Sequence, residues 1–162
     1  MITTDKVYKN NEWIYGYREI DSLGGHDPYS SSKAACEIAI SSWRSSFDLY
    51  QSNNNSNFSI ASARAGNVIG GGDWSENRII PDLVRSYMSK KSAIIRNPKS
   101  IRPWSYVLDI IIGYLIIGLD CIEKKPSFNS YNLSPLQKSS FTVLDLANKF
   151  LNKFDKRNPV VV

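Results

Sequence analysis

The stretch "HDPYSSSKAACEIAISSW", His26 to Trp43, decides how this chain folds. Pro28 suits the first turn of a helix, where a missing N–H costs nothing. After it, apolar residues recur at helical spacing as far as Tyr50. Upstream, "MITTDKVY" reads as the end of a strand, and residues 9–27, rich in Asn, Gly and aromatics, read as a loop. Downstream, the polar run "QSNNNSN" (51–57) reads as a connection and "FSIASARAG" (58–66) as a second strand. Strand, helix, strand in that order predicts parallel pairing and an α/β protein.

The rest of the chain continues the alternation. "GNVIGGGDW" (66–74) reads as a turn region, and Pro81 opens a helix over "PDLVRSYMSK". "AIIRN" (93–97) reads as a short strand, "SYVLDIIIGYLIIGLDCIEK" (105–124) as a long helix, and "SYNLS" (130–134) as a strand. Thr142 and Asp145 have capping-box spacing ahead of "TVLDLANKFLNKF". The closing "RNPVVV" resembles the start of a further strand, and the opening strand also looks cut short. No internal repeat is visible.

At 162 residues the chain holds one domain's worth of sequence, long enough to bury a core. The net charge of +5 permits an anionic partner. Its basic residues are scattered, with only short pairs at Lys90-Lys91 and Lys124-Lys125, so a nucleic-acid surface is not indicated. Cys36 and Cys121 each sit in an apolar helical context and read as buried thiols of a reducing compartment. The single histidine, His26, reads as a loop residue, and alone it builds no metal site. No signal-peptide layout opens the chain, and the apolar run "IIIGYLIIGL" (110–119) is too short to span a bilayer. It reads as a core helix, and a cytoplasmic protein is the expectation.

Tyr29 and Lys33 stand four residues apart on one helix face, so phenol and ammonium can serve one site. A tyrosine ordinarily ionises near ~10, and a phenolate at about neutral pH needs roughly 4 kcal/mol of differential charge stabilisation, which a nearby cation can supply. Such a phenolate suits a general base acting on a sugar hydroxyl. A lone YxxxK spacing occurs in many helices by chance, and its plain alternative is an exposed helix turn. "TTDK" (3–6) and "RAGN" (64–67) add polar residues at two predicted strand ends, where parallel sheets place their clefts.

"TTDKVYKNNEWIYGYREIDSLGGHDPYSSSK", "ARAGNVIGGGDW", "NRIIPD" and "IRNPKSIRPW" together resemble the nucleotide-sugar 4,6-dehydratases of the extended short-chain dehydrogenase/reductase family. The resemblance covers nearly the whole chain. It implies a partial Rossmann-like, doubly wound parallel sheet with part of a smaller substrate-binding domain. Residues 1–70 would be the C-terminal part of the NAD-binding domain. Residues 71–162 would be mostly the nucleotide-sugar region, interleaved with the last Rossmann elements.

The same resemblance implies bound NAD, a nucleotide-sugar substrate (CDP-glucose), and a homodimer at full length built partly on the Tyr29 helix. Ile38 and Trp43 would serve either that interface or the core. The implied reaction oxidises C4 of the sugar, eliminates water across C5 and C6, and returns hydride to C6. In it Tyr29 is the base, Thr4 bonds the 4-oxygen, and Lys33 holds the cofactor ribose and biases Tyr29. Asp5 protonates the leaving 6-hydroxyl, while Lys6 acts on the C5 proton or stabilises the enolate as a cation. Asn67 contacts substrate or is simply a turn residue. Arg102 pairs with the diphosphate, with Arg78 and Arg96 as further substrate-binding candidates. Gly70–Gly72 lacks the form of a phosphate loop. The glycine-rich cofactor cradle of the family is not among these residues, which predicts little activity for the isolated chain. The alternatives are an epimerase or reductase of the same superfamily, or a non-catalytic remnant that binds a nucleotide sugar.

Overall fold

The computed structural model describes residues 1–54, 59–123, 128–135, 141–154 and 160–161, without the side chains of 47–54 and 160–161. The chain forms two compact units, Met1–Gly66 with Leu108–Ser134, and Asn67–Val107 with Pro135–Val162. The two units alternate along the chain: Asn67–Val107 interrupts the first, and Pro135–Val162 follows it.

The first unit is built on three parallel strands, β1 (Ile2–Thr4), β2 (Ser62–Ala65) and a third, Ser130–Leu133. Helix α1 (Pro28–Asn54) joins β1 to β2, the crossover that parallel neighbours require. It runs on through Gln51–Asn54, where a connection was expected, and residues 55–57 of that expected connection lie outside the described residues. β2 is buried on both faces, and the two faces differ in kind. Ala61 and Ala63 pack with Ile117, Tyr114, Tyr131 and Leu133. Ser62 and Arg64, alternating with them, turn to α1. The loop 9–27 folds back on the end of β1: Lys9 N donates to Ser22 O at 2.9 Å and Gly24 N to Val7 O at 2.8 Å.

In the second unit, β3 (Asn67–Ile69) lies within the region expected to be a turn. It pairs in parallel with Trp104–Tyr106, and a strand made only by a partner so distant leaves no local signature. In chain order the remaining elements are α2 (Ile79–Ser89), β4 (Ala93–Ile94), β5 (Ile101–Arg102), β6 (Trp104–Tyr106), α3 (Val107–Ile122) and β7, the Ser130–Leu133 strand named above. They end with β8 (Phe141–Thr142), α4 (Val143–Phe154) and β9 (Val160–Val161). Leu83, Ala93, Ile95 and Ala147 form the core of this unit, with Ile80, Leu144 and Phe150 against it. The capping box is present: Thr142 N donates to Asp145 Oδ2 at 3.1 Å, and Asp145 N to Thr142 Oγ1 at 3.0 Å. The closing valines form the strand expected of them, β9, which pairs in parallel with β4.

Two expectations are corrected. Cys36 is exposed, falling beside the stripe of α1 that carries Ala34, Glu37 and Ile40. Cys121 is only partly buried, although it packs against the Ala61–Ala63–Ile117 cluster, because it stands near the end of α3. α3 is not a core helix. It buries Ile110 and Ile117, while Ile112, Leu115, Ile116 and Leu119 are each more than half exposed. Apolar exposure of that extent favours association. Replacing Leu115 and Leu119 by Lys is expected to reduce self-association in sedimentation velocity. The urea midpoint should barely move, since exposed side chains carry only about 0.5 kcal/mol either way.

Candidate functional site

Tyr29 and Lys33 lie in the first two turns of α1, and the start of that helix is set by three local features. Asp27 caps it: its Oδ1 accepts from Ser30 N at 3.0 Å and its Oδ2 from Ser30 Oγ at 2.6 Å. Those bonds from Ser30 hold the Asp27 carboxyl below its ordinary pKa. Pro28 supplies the helical φ of the first position. Gly25 lets the chain pass under the helix, since a Cβ there would come within 2.5 Å of Ser31 N and 2.6 Å of the Ser30 carbonyl carbon. The Lys33 ammonium sits 5.9 Å from the centre of the Tyr29 ring. Tyr29 is half exposed, and among the described residues no hydrogen bond engages its hydroxyl. The proposed pair is therefore on one face and open.

Thr4, Asp5 and Lys6 follow one another off the C-terminal end of β1, where Asp5–Val7 makes one 3-10 turn. Thr4 is buried; its hydroxyl donates to Asp5 Oδ1 at 3.2 Å and accepts from Lys6 N at 3.4 Å. Lys6 Nζ stands 3.6 Å from Asp5 Oδ1. Acid, hydroxyl and cation are thus assembled within three consecutive residues.

Beneath both segments lies a charged pair that sequence reasoning missed. Arg64 Nη2 donates to Glu37 Oε2 at 2.8 Å, with side chains only 4% and 2% exposed. Ser62 Oγ donates to the same oxygen at 2.9 Å, and Thr3 Oγ1 donates to Glu37 Oε1. Arg64 Nη1 reaches the Tyr8 hydroxyl at 2.7 Å and Glu19 O at 3.2 Å, and Tyr8 in turn donates to Asn132 Oδ1 at 2.6 Å. Burial alone would push the Glu37 carboxyl up, but the bonds from Arg64, Thr3 and Ser62 outweigh it and hold it below its ordinary pKa. Burial likewise opposes the charge on Arg64, and the bonds to Glu37 and Tyr8 overcome it, raising Arg64 above its ordinary value. A signal existed in the sequence: an arginine in the middle of the small-residue strand "ASARA" needs an acidic partner to be buried there.

The other expected site residues belong to the second unit. Asn67 is the first residue of β3, opposite Trp104 of β6, and among the described residues its buried Oδ1 has no hydrogen-bond partner. Arg102 is half-buried in β5, with Nη1 donating to Ile101 O at 3.0 Å. Arg78 precedes α2 and Arg96 follows Ile95, and both are exposed. Gly70–Gly72 is separated from α2 by Asp73–Arg78, so it does not open a helix as a phosphate loop must.

The profile of the NAD dependent epimerase/dehydratase family matches residues 1–134. The chain belongs to that family. A CDP-glucose 4,6-dehydratase of Salmonella typhimurium is 42% identical over 151 residues, covering 93% of this chain and 42% of that protein. A dTDP-D-glucose 4,6-dehydratase of Dictyostelium discoideum is 28% identical, covering 93% of this chain and 34% of that protein. The chain thus spans less than half the length of these curated relatives. Among solved structures, a dTDP-glucose 4,6-dehydratase from Bacillus anthracis in complex with NAD superposes with a TM-score of 0.77 at 19% identity, over 99% of this chain and 48% of that one. A UDP-N-acetylglucosamine 4-epimerase from Methanobrevibacter ruminantium gives 0.76 at 19% identity, over 98% and 47%. These two likenesses establish the α/β fold.

Gly25→Ala is expected to cost about 1–3 kcal/mol by forcing the first turn of α1 aside. Gly16→Ala, where a Cβ meets nothing within 4 Å, serves as the control in urea unfolding. For Glu37 the folded pKa is depressed, so its contribution to stability is present above the unfolded value and lost as pH falls through the folded one. Urea midpoints should therefore drop below about pH 4.5, and in Glu37→Gln the drop should be shallower and start from a lower midpoint.

Proposed function

We propose that this chain carries the reacting residues of an NAD-dependent nucleotide-sugar 4,6-dehydratase acting on CDP-glucose. The observation that carries the reading is the Thr4–Asp5–Lys6 turn, which gathers a hydroxyl, a carboxyl and an ammonium in the same unit as the open Tyr29–Lys33 pair. An epimerase has no leaving 6-hydroxyl to protonate and no use for Asp5. The 42% identity to a CDP-glucose dehydratase supports the choice of nucleotide.

The Tyr29 hydroxyl and the Lys33 ammonium are a donor set that fits the ribose of a nicotinamide cofactor, and neither is spent on another hydrogen bond among the described residues. NAD, when bound, supplies the acceptor and later the donor of the sugar hydride. Tyr29 takes the proton of the sugar 4-hydroxyl, with the Lys33 ammonium 5.9 Å from its ring centre, and Thr4 bonds the 4-oxygen. The 4-ketone acidifies C5. The C5 proton passes to solvent water as the C6–O bond breaks, and protonated Asp5 gives its proton to the departing 6-hydroxyl. One water is lost, and hydride then returns to C6 while C5 is reprotonated. Lys6 Nζ, 3.6 Å from Asp5 Oδ1, is in this reading the cation that stabilises the enolate once Asp5 has taken up the proton it delivers to the 6-hydroxyl. Asn67 with its unpaired buried oxygen, Arg102, and the exposed Arg78 and Arg96 are the substrate-binding residues in this reading.

Residues 1–70 belong, in this proposal, to the cofactor domain and 71–162 mostly to the substrate region. Ile38 and Trp43, each about three-fifths exposed on α1, are placed at a homodimer contact and not in the core. Among the described residues no helix is long and apolar enough to cross a membrane. Two free cysteines suit the reducing cytoplasm, where a deoxysugar precursor for lipopolysaccharide is made.

The reading is tested by incubating the protein with NAD and CDP-glucose and weighing the nucleotide product. A product lighter by one water is expected at the relatives' full length, and little or none from the 162 residues alone. A nucleotide sugar of unchanged mass but altered stereochemistry would refute the dehydratase. Asp5→Asn should slow water loss about a hundredfold or more while hydride transfer stays measurable by the reduced cofactor's absorbance.

A further inference from the structure

The buried Arg64–Glu37 pair does more than join α1 to β2. Its two outermost hydrogen bonds close on either side of the Thr4–Lys6 turn. Glu37 Oε1 receives the hydroxyl of Thr3, the residue before the turn. Arg64 Nη1 donates to the hydroxyl of Tyr8, two residues after Lys6. Tyr8 is held in place by its bond to Asn132 on β7, at 2.6 Å, and by stacking on Tyr17, with ring centres 5.1 Å apart. Val7, between the turn and Tyr8, is fully buried. Glu37 also stands one helical turn after Lys33 and two after Tyr29, so the same stripe of α1 carries all three residues. The geometry points to a shared reference: we propose that Glu37 and Arg64 are positioning residues, clamping the Thr4–Lys6 turn at both ends and fixing it relative to Tyr29 and Lys33.

The charges matter to that role. A carboxylate offers acceptor sites on two oxygens, so Glu37 bonds β1 through one and β2 through the other. The planar guanidinium directs its donors along fixed lines, so Arg64 reaches α1, the Tyr8 hydroxyl and Ser130 Oγ at 3.2 Å from one place. Buried pairs of this kind are weak evidence of stability, since apolar replacements often fold as well. What an apolar pair cannot reproduce is the two hydroxyl contacts that bracket the turn.

The importance of the clamp for catalysis rests on the dehydratase reading, but its existence is tested without cofactor or sugar, so either can fail independently. Thr3→Val and Tyr8→Phe each remove one hydroxyl from one end and leave the Arg64–Glu37 pair intact. Amide hydrogen exchange, followed by NMR on the 162-residue chain, reads the turn and β2 separately. In the double variant, exchange at Lys6 and Val7 is expected to rise about tenfold, the scale of a lost hydrogen bond or two, while Ala63 and Ala65 keep their rates. Thr3→Ser, which retains the hydroxyl, should restore the rate that Thr3→Val raises. A uniform rise across turn and strand would mean an ordinary loss of stability and overturn the proposal. So would unchanged exchange at Lys6 and Val7, or a Thr3→Ser protein that behaves like Thr3→Val.

Discussion

Two opposite charges taken out of water need nearly all of their hydrogen-bonding capacity met by the protein. Arg64 and Glu37 meet most of it from four directions: β1 through Thr3, β2 through Ser62, β7 through Ser130, and the chain after β1 through Tyr8 and Glu19 O. The buried Arg64 Nε has no partner among the described residues. Each partner must stand where a hydrogen bond is possible, so the pair dictates the spacing of the elements around it. The first unit of this chain is organised about that requirement. β2 meets it with an alternation of kinds, alanines toward Ile117 on one face and Ser62 with Arg64 toward α1 on the other.

The consequence is that the residues proposed to serve one site share one support. Tyr29 and Lys33 are carried by α1, which Glu37 fastens to the sheet, and the Thr4–Lys6 turn leaves β1 directly after Thr3, which Glu37 also holds. The opening of α1 is fixed separately, by the Asp27 cap and by the absence of a side chain at Gly25. Electrostatics and local chain stereochemistry thus act on successive turns at the start of the same helix.

The second unit solves an easier problem. Its core is apolar, Leu83, Ala93, Ile95 and Ala147, and its helix α4 is started by a reciprocal Thr142–Asp145 cap. Its paired strands β3 and β6 carry three buried polar atoms with no hydrogen-bond partner among the described residues, Asn67 Oδ1, Trp104 Nε1 and Ser105 Oγ. In the first unit α3 leaves Leu115, Ile116 and Leu119 in solvent.

Much of this could be read from residue order. Helical spacing after Pro28, the cap at Thr142, the strand–helix–strand sequence and the Tyr29–Lys33 spacing are all local. They follow from interactions between residues a few positions apart, and the structure shows each of them. The strand Asn67–Ile69, the exposure of Cys36 and of the apolar side of α3, and the Arg64–Glu37 pair were decided elsewhere. Each depends on a partner, or on the lack of one, tens of residues away. The chain determined by itself which residues could serve the chemistry. Only the tertiary structure decided which stand together, because burial is a property of neighbours in space, and Arg64 meets Glu37 only once β2 lies beneath α1.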